Sequence, residues 1–326
     1  MRFKKTQIIA LANQKGGCGK TTSSIAIAAA FNQLGYSVAV VDIDPQCNAT
    51  ESFGISPTDL YSQGKLSILD GYIKKRSAID IQVGFDPERF DNKLFVIPGN
   101  KQLGEVGGYL ETEAMQQLKF ERAEIEVDEL RDEHRGRLRS CLDSLRGVHD
   151  VIIIDTPPNL GYLMTSALVA SDWFIIPVFP SQYDLAGLEE LTVTIGKIRK
   201  KYNPTLKLAG VLLGNFDKST KLDSQIYKLL CQKFGEDAVF QTTISRGVRM
   251  RELTFTKQTV FEFEGASQQA DQFLTLVNEM INRAVKGPES SKALPQIEKV
   301  VERVENSDVD MSQLPEFEEQ RGVING

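Results

Sequence analysis

Histidine and cysteine are scarce in this chain. Its 326 residues contain two histidines and four cysteines, and no two cysteines stand at the C-x-x-C spacing of metal and redox motifs. This scarcity argues against a histidine-based catalytic or metal centre, a zinc site and a disulfide framework, and it favours a reducing, cytoplasmic setting. We expect His134 and His149 to lie on the surface.

Long apolar segments are also missing. No run of the sequence approaches the roughly 20 apolar residues that span a bilayer, so we expect no membrane association. The formal net charge of −6 argues against a protein that coats DNA through its bulk charge. Nine acidic residues against four basic ones lie in 287–326. The rest of the chain is therefore close to neutral and has room for a local basic patch.

Short apolar runs alternate with helical patterns along the chain. A parallel sheet covered by helices produces this alternation, because its strands are buried on both sides. We therefore predict an α/β fold with a mostly parallel, doubly wound sheet, helices on both faces, and ligands at the carboxyl ends of the strands. The predicted strands are 8–12, 38–41, 94–97, 151–154, 174–178 and 208–213.

One domain with a tail is the organisation that we predict. The domain spans 1–286 and includes a charged helical stretch at about 111–139, which we interpret as a solvated helix or helix pair. After this domain the composition turns polar and acidic, which predicts a flexible tail over 287–326. Apolar residues within 297–304 have the spacing of one face of a short helix.

A glycine-rich loop follows the first predicted strand. Residues 15–22 read Lys-Gly-Gly-Cys-Gly-Lys-Thr-Thr and lead directly into a helical pattern. Glycines let successive N–H groups converge on phosphate oxygens, and the positive end of the helix adds to the attraction. Lys20 can reach the outer phosphates, Thr21 is the expected Mg²⁺ ligand, and Thr22 is a further donor. The nucleotide-binding residues predicted in this loop are Lys15, Gly16, Gly17, Cys18, Gly19, Lys20, Thr21 and Thr22.

The loop departs from the ordinary P-loop pattern at two positions. Gln14 occupies the place of the first glycine, and a second lysine, Lys15, stands inside the loop. The string resembles the deviant Walker A box of the ParA/MinD family of dimerising P-loop ATPases. The resemblance implies that ATP is hydrolysed to ADP and phosphate with Mg²⁺. It also implies that Lys20 and Lys15 both serve catalysis, Lys15 by reaching the ATP of the other subunit in a homodimer.

Acidic residues follow two of the predicted strands. Period-two alternation puts Asp42 and Asp44 on the same side of one strand end, and Asp155 ends another strand. In the ParA family the first segment is the Walker A′ motif, whose Asp before Pro orients or activates the attacking water, so Asp44 is the predicted catalytic acid. Asp42 either supports Lys20 or the Mg²⁺ waters, or it has a structural role. Asp155 fits the Walker B role and would hold Mg²⁺ mostly through water.

The resemblance to the family continues to about residue 285. It implies that 213–220 lies beside the base, with Asn215 as an adenine contact. Ser219 stands where the family usually has Arg, so a nearby lysine would have to substitute in DNA binding. The segment 245–252 resembles the family's Ile-Pro-Arg-Asn-Val-Arg stretch, and its arginines can bind phosphates without reading the base sequence. The predicted DNA-binding residues are Lys218, Lys221, Arg246, Arg249 and Arg251.

A ParA-type ATPase of plasmid or chromosome segregation, associated with the nucleoid, is the function that the resemblance implies. ATP would drive a sandwich homodimer, the dimer would bind DNA nonspecifically, and a ParB-like partner would stimulate hydrolysis. A second basic run, 197–201, either joins the DNA-binding surface or only stabilises the negative C-terminal end of a helix. Two alternatives stay open: positioning of a protein cargo by the same cycle, and a MinD-like membrane-associated regulator, which the acidic tail disfavours.

Overall fold

A seven-stranded sheet forms the centre of the part of the chain that the structure describes. A computed structural model describes residues 3–120, 127–180, 185–247, 253, 256–285 and 297–306. The strands are β1 (Gln7–Leu11), β2 (Val38–Asp42), β3 (Val83–Gly84), β4 (Leu94–Ile97), β5 (Val151–Asp155), β6 (Trp173–Val178) and β7 (Lys207–Leu213). Their order is β3-β4-β2-β5-β1-β6-β7. All neighbours are parallel except β3 and β4, which confirms the predicted fold class.

The six predicted strands agree with the structure to within one residue at either end. Their side chains are almost all buried, as expected for strands that are covered on both faces. The edge strand β3 was not predicted. It has only two residues and is partly exposed, so it carries no apolar run or alternation that the sequence could reveal.

Helices cover both faces of the sheet. They are α1 (Lys20–Gln33), α2 (Asn48–Ser52), α3 (Pro57–Ser62), α4 (Ile68–Ile73), α5 (Ala78–Ile81), α6 (Pro87–Phe90), α7 (Val106–Phe120), α8 (Val127–Leu142), α9 (Tyr162–Ala170), α10 (Leu185–Tyr202), α11 (Lys221–Phe234), α12 (Ser267–Val285) and α13 (Ile297–Asn306). Helices α1 and α12 pack together on one face, and α8 to α11 lie on the other. Among the described residues, no helix combines the length and the apolar character needed to cross a membrane.

The strand order brings three strand ends together. In the central pairs, Leu11 of β1 and Asp42 of β2 are both in register with Asp155 of β5. Because the strands are parallel, the segments that follow them emerge at the same edge of the sheet. The fold therefore gathers the glycine-rich loop and the two acidic strand ends at this carboxyl edge.

The predicted charged stretch is a pair of helices, α7 and α8, and part of it is buried. Leu130 and Leu138 of α8 are 5% and 1% exposed. Arg137 is buried as well, where its Nη1 donates to the carbonyl of Tyr72 at 2.9 Å and its Nη2 lies 2.7 Å from a carboxylate oxygen of Glu113. The pair is therefore not only a solvated surface, since α8 contributes apolar side chains to the core.

Part of the predicted tail is docked on the domain. Residues 297–306 form α13, whose Val300 and Val304 are 1% and 3% exposed and join the core beside α10 and α11. Arg303 pairs with Asp237 at 3.1 Å. The expectation of a flexible tail is therefore wrong for this segment, because its apolar face is covered. The predicted domain boundary stays a prediction.

Both histidines are buried, which corrects the prediction that they lie on the surface. The ring of His149 links the residue that precedes β2 to the residue that precedes β3. Its Nδ1 lies 2.8 Å from the hydroxyl of Ser37, and its Nε2 lies 2.8 Å from the side-chain carbonyl of Gln82. Burial lowers the pKa of His149 to about 4, which keeps the ring neutral at neutral pH.

Protonation of His149 is expected to make folding less favourable in mild acid. Because the pKa in the folded protein is below its ordinary value near 6.5, the unfolded chain takes up a proton that the folded chain does not. Neutral His149 therefore contributes up to about 3 kcal/mol to the free energy of unfolding above pH 6.5. This contribution is lost as the pH falls towards 4. Urea unfolding between pH 7.5 and 4.5 should show a smaller loss in His149→Gln than in the wild type. Equal losses in both proteins would contradict this assignment.

Candidate functional site

The loop between β1 and α1, called the P-loop below, is shaped by the side chain of Asn13 and by two glycines. The Asn13 amide donates to the carbonyl of Pro177 at 2.7 Å, and the N–H of Lys15 donates to the Asn13 side-chain carbonyl at 3.0 Å. These bonds attach the start of the loop to the end of β6. Gly17 and Gly19 have φ of 71° and 87°, which disfavours residues with a Cβ. The loop then turns directly into α1, whose free N–H groups form an anion-binding end.

The two lysines of the P-loop lie in different environments. Lys20 is buried, and its Nζ donates to the carbonyl of Lys15 at 3.0 Å. The Cys18 thiol donates to the same carbonyl at 3.1 Å. Lys15 itself is exposed. The structure therefore places one lysine inside the loop, where phosphates would lie, and leaves the side chain of the other at the surface.

The carboxylate of Asp155 lies beneath the P-loop and is fully buried. Its Oδ1 accepts a hydrogen bond from the Ser24 hydroxyl at 2.9 Å, while its Oδ2 has no hydrogen-bond partner among the described residues. Burial raises the pKa of Asp155 to about 7, the charge of Asp42 adds to this, and hydrogen bonds from Thr21 and Ser24 oppose it. An unpartnered buried carboxylate oxygen beside a threonine hydroxyl fits the oxygen ligands that Mg²⁺ prefers. Sequence reasoning missed Ser24, although it lies one helical turn after Lys20.

Asp42 makes the hydrogen bonds expected of the structural role, one of the two alternatives that the sequence left open. Its Oδ2 accepts hydrogen bonds from the N–H and the hydroxyl of Thr50 at 2.8 and 2.6 Å, and its Oδ1 accepts the N–H of Asp44 at 3.1 Å. The Thr50 hydroxyl in turn accepts the N–H of Gly99 at 2.8 Å. Burial raises the pKa of Asp42 to about 6, and the hydrogen bonds from Thr50 oppose this shift. Asp42 thus joins the segment after β2 to α2 and to the end of β4.

Asp44 lies in the turn that follows β2. The N–H of Gln46 donates to its Oδ1 at 2.9 Å, and the N–H of Cys47 donates to its main-chain carbonyl at 2.8 Å. Cys47 adopts a φ of 56°, which is uncommon for a residue with a Cβ. Asp44 is 6% exposed, so its carboxylate lies within the site rather than in bulk solvent. The turn brings a second acid close to Asp155, because β2 and β5 are neighbours.

The segment after β7 pairs with a later part of the chain. Asn215 has a φ of 51°, and the next residue, Phe216, donates its N–H to the carbonyl of Ile244 at 3.0 Å and accepts the N–H of Arg246 at 3.1 Å. This pairing places the predicted adenine contact next to the start of the predicted arginine segment. This pairing could not be predicted from a local sequence pattern, because it joins two irregular segments about 30 residues apart in the chain.

The predicted DNA-binding residues are only partly described. Lys218, Lys221 and Arg246 are exposed around the segment that follows β7. Arg249 and Arg251 lie outside the described residues. The second basic run, 197–201, ends α10 at the opposite, amino edge of the sheet, so within one subunit it does not join the first group.

Comparisons with known proteins agree with this geometry. The model of the AAA domain family matches residues 6–208. The chain is 35% identical over 274 residues to the sporulation initiation inhibitor protein Soj of Bacillus subtilis, covering 84% of this chain and 98% of Soj. It is 30% identical to the chromosome partitioning protein ParA of Caulobacter vibrioides, covering 87% of this chain and 97% of ParA. A structure of cobyrinic acid a,c-diamide synthase from Mycobacterium smegmatis, with bound ADP and magnesium, matches with a TM-score of 0.67 and 25% identity, over 89% of this chain and 99% of that one.

Replacing Asp155 by asparagine is expected to stabilise the metal-free protein and to abolish its response to Mg²⁺. The amide removes a buried negative charge beside Asp42 while it keeps an acceptor for Ser24. Differential scanning fluorimetry at pH 8 should show a Tm higher by about 2–4 °C without metal. The further rise that Mg²⁺ and ADP produce in the wild type should be absent.

A matched control for this substitution is Asp80→Asn, which removes one negative charge from an exposed position. It should leave both the Tm and the response to Mg²⁺ and ADP at wild-type values. A lower Tm in metal-free Asp155→Asn would contradict the expectation that this buried carboxylate destabilises the protein when no cation is bound.

Proposed function

Because the chain belongs to the ParA family of AAA-domain P-loop ATPases, we propose that it is a partition ATPase that binds and releases DNA in a cycle driven by ATP and Mg²⁺. The similarity to Soj and ParA runs along most of both chains, which supports carrying over the segregation role that the name of ParA states. The bound ADP and magnesium of the Mycobacterium neighbour support the choice of nucleotide and metal.

The observation that carries the proposal is the contrast between the two lysines of the P-loop. Lys20 lies inside the loop against the Lys15 carbonyl, whereas the Lys15 side chain extends from the exposed rim. A single nucleotide in one subunit needs only the inner lysine. The outer lysine is positioned for a nucleotide that approaches from outside, as in a sandwich of two subunits. ATP would then hold two copies of the chain together.

The residues of the site divide the work of phosphoryl transfer. Backbone N–H groups of residues 16–20 and the Lys20 ammonium would neutralise the phosphate oxygens, and Thr22 would add a donor. Thr21 and Asp155 would hold Mg²⁺, which when bound supplies positive charge to the outer phosphates. Asp44, buried at the edge of the site, would accept a hydrogen bond from the attacking water and so orient it.

The contacts of the turn around Asp44 would transmit a conformational change from the site of hydrolysis to neighbouring helices. Asp42 attaches the start of this turn to Thr50, and Pro45 lies close to the short helix at Lys101–Glu105, since a Cβ on Gly104 would lie 3.8 Å from the proline ring. A change at the outer phosphate would reach α7 through these contacts. We propose that a ParB-like activator acts on this part of the dimer.

DNA binding is proposed for the exposed basic residues beside the base segment. Lys218, Lys221 and Arg246 are exposed at the carboxyl edge, and Arg249 and Arg251 follow within five residues of Arg246 in the chain. In a sandwich dimer the two copies of this cluster would be presented together, which would attract a duplex despite the net charge of −6. Nonspecific binding of this kind would place the protein on the nucleoid.

A membrane-associated role is less favoured. The apolar side chains Val300 and Val304 of α13 are buried against the domain, so this face is not presented to a lipid surface. We also propose that the ATPase domain ends near residue 286 and that α13 is an appended element.

DNA binding should depend on ATP and on Lys15. With nonspecific duplex DNA, fluorescence anisotropy should show binding with ATP and little with ADP or without nucleotide. Lys15→Ala should abolish ATP-dependent binding, because the dimer does not form. Arg246→Ala and Arg249→Ala should weaken binding and lower the slope of log K against log salt by about one for each phosphate that is no longer neutralised.

The control for these variants is Lys65→Ala, which removes a cation from an exposed position after α3, away from the proposed DNA-binding cluster. It should bind DNA as the wild type does. Absence of DNA binding in every nucleotide state would contradict the proposed function.

Asp44→Ala should separate nucleotide binding from hydrolysis. Loss of the water-orienting carboxylate should lower turnover by about a hundredfold or more, while Lys20, Thr21 and Asp155 still bind ATP and Mg²⁺. Size-exclusion chromatography with ATP should then show a stable dimer that retains its nucleotide. Wild-type turnover in this variant would remove Asp44 from its proposed role.

A further inference from the structure

A phenylalanine ring lies between the P-loop and the segment that follows β7. Phe179 comes directly after β6 and is half-buried. Its ring is in contact with Gly19 at the end of the P-loop and with Gly214 at the start of the segment that contains Asn215. Neither contact was anticipated from the sequence, because the three residues are far apart in the chain.

The two glycines make room for the ring. A Cβ on Gly19 would lie 2.5 Å from the ring atom Cζ, and a Cβ on Gly214 would lie 2.6 Å from Cε1. Gly19 needs to be glycine in any case, because its φ is 87°. Gly214 does not have a positive φ, so any residue suits its backbone. The absence of a side chain at Gly214 is therefore explained by the ring of Phe179.

The ring touches both ends of the proposed nucleotide site. Gly19 immediately precedes Lys20 and caps α1, which is the end that would receive the phosphates. Gly214 precedes Asn215, the proposed base contact, and its N–H donates to the carbonyl of Val178 at 2.9 Å. This hydrogen bond fixes Gly214 to the end of β6, and the ring fills the remaining space towards the P-loop.

We propose that Phe179 is a positioning residue that sets the spacing between the phosphate-binding loop and the base-binding segment, and so determines how tightly a nucleotide is held. The inference rests on the proposed function, since it concerns the same nucleotide. The ring lies on the side of β6 and β7, whereas Asp44 and Asp155 follow β2 and β5 on the other side of the P-loop. Phe179 should therefore affect nucleotide binding and leave the hydrolytic step unchanged.

The first test is Phe179→Leu, which keeps an apolar side chain but removes the ring. We expect the KM for ATP and the Kd for ADP to rise about tenfold, the size of effect that follows the removal of a well-packed ring. The kcat should stay within about twofold of the wild type. An interaction that is equally strong in the bound ground state and in the transition state changes KM and leaves kcat unchanged. Phe95→Leu, a half-buried phenylalanine at the amino edge, is the matched control and should leave both constants unchanged.

The second test examines the packing of the ring on Gly214. Gly214→Ala should weaken ADP binding to a similar extent, because the added methyl group displaces the ring. In the Phe179→Leu background the same substitution should weaken binding by less than about twofold, since no ring atom then occupies the space. Circular dichroism and Tm should confirm that each variant is folded.

Three results would overturn the inference. They are an unchanged affinity in Phe179→Leu, a fall in kcat that accompanies the rise in KM, and an equal effect of Gly214→Ala in both backgrounds. A wild-type protein without ATPase activity would instead count against the proposed function, and the ADP titrations would still decide the role of Phe179.

Discussion

The burial of a carboxylate pair at the centre of the sheet is the constraint on which the site depends. Asp42 and Asp155 end two neighbouring parallel strands in register and are fully buried, and Asp155 accepts a hydrogen bond from Ser24 of α1, which follows the P-loop. Asp42 accepts hydrogen bonds from Thr50 and Asp44, so it organises the chain around it. Asp155 keeps one oxygen without a partner among the described residues, which is costly unless a cation is bound there. This burial is consistent with the proposal that Asp155 holds Mg²⁺ when the nucleotide is bound.

The segments that connect the strands are held by different kinds of contact in different parts of the sheet. At the carboxyl edge, two of the connecting segments contain a residue with positive φ beside a predicted site residue or at one: Cys47 in the turn of Asp44, and Asn215 itself. The residue before β2, Ser37, and the residue before β3, Gln82, are joined by partly buried hydrogen bonds to His149.

Much of this arrangement was accessible from the sequence, because it is encoded in short contiguous segments. The doubly buried strands, the P-loop string and the acid that ends β5 each carry a local pattern, and parallel topology then brings them together. Contacts between distant segments have no such pattern. Burial of the two histidines, the hydrogen bonds of Asp42 to Thr50 and the position of Phe179 between two glycines arise only when the chain is folded. The apolar face of α13 was visible in the sequence, but its docking was not predicted, because nothing local to an acidic segment indicates the surface on which it packs.

The register of the central strands has a consequence for how such a chain can vary. Leu11, Asp42 and Asp155 share one level of the sheet, and side chains alternate between faces along each strand. Inserting or deleting one residue within β2 or β5 would turn its terminal acid to the opposite face of the sheet, towards the other helical layer. We expect length changes to be better tolerated in the connections between the strands than within them. The spacing from the start of each central strand to its functional residue is therefore as strictly constrained as the identity of that residue.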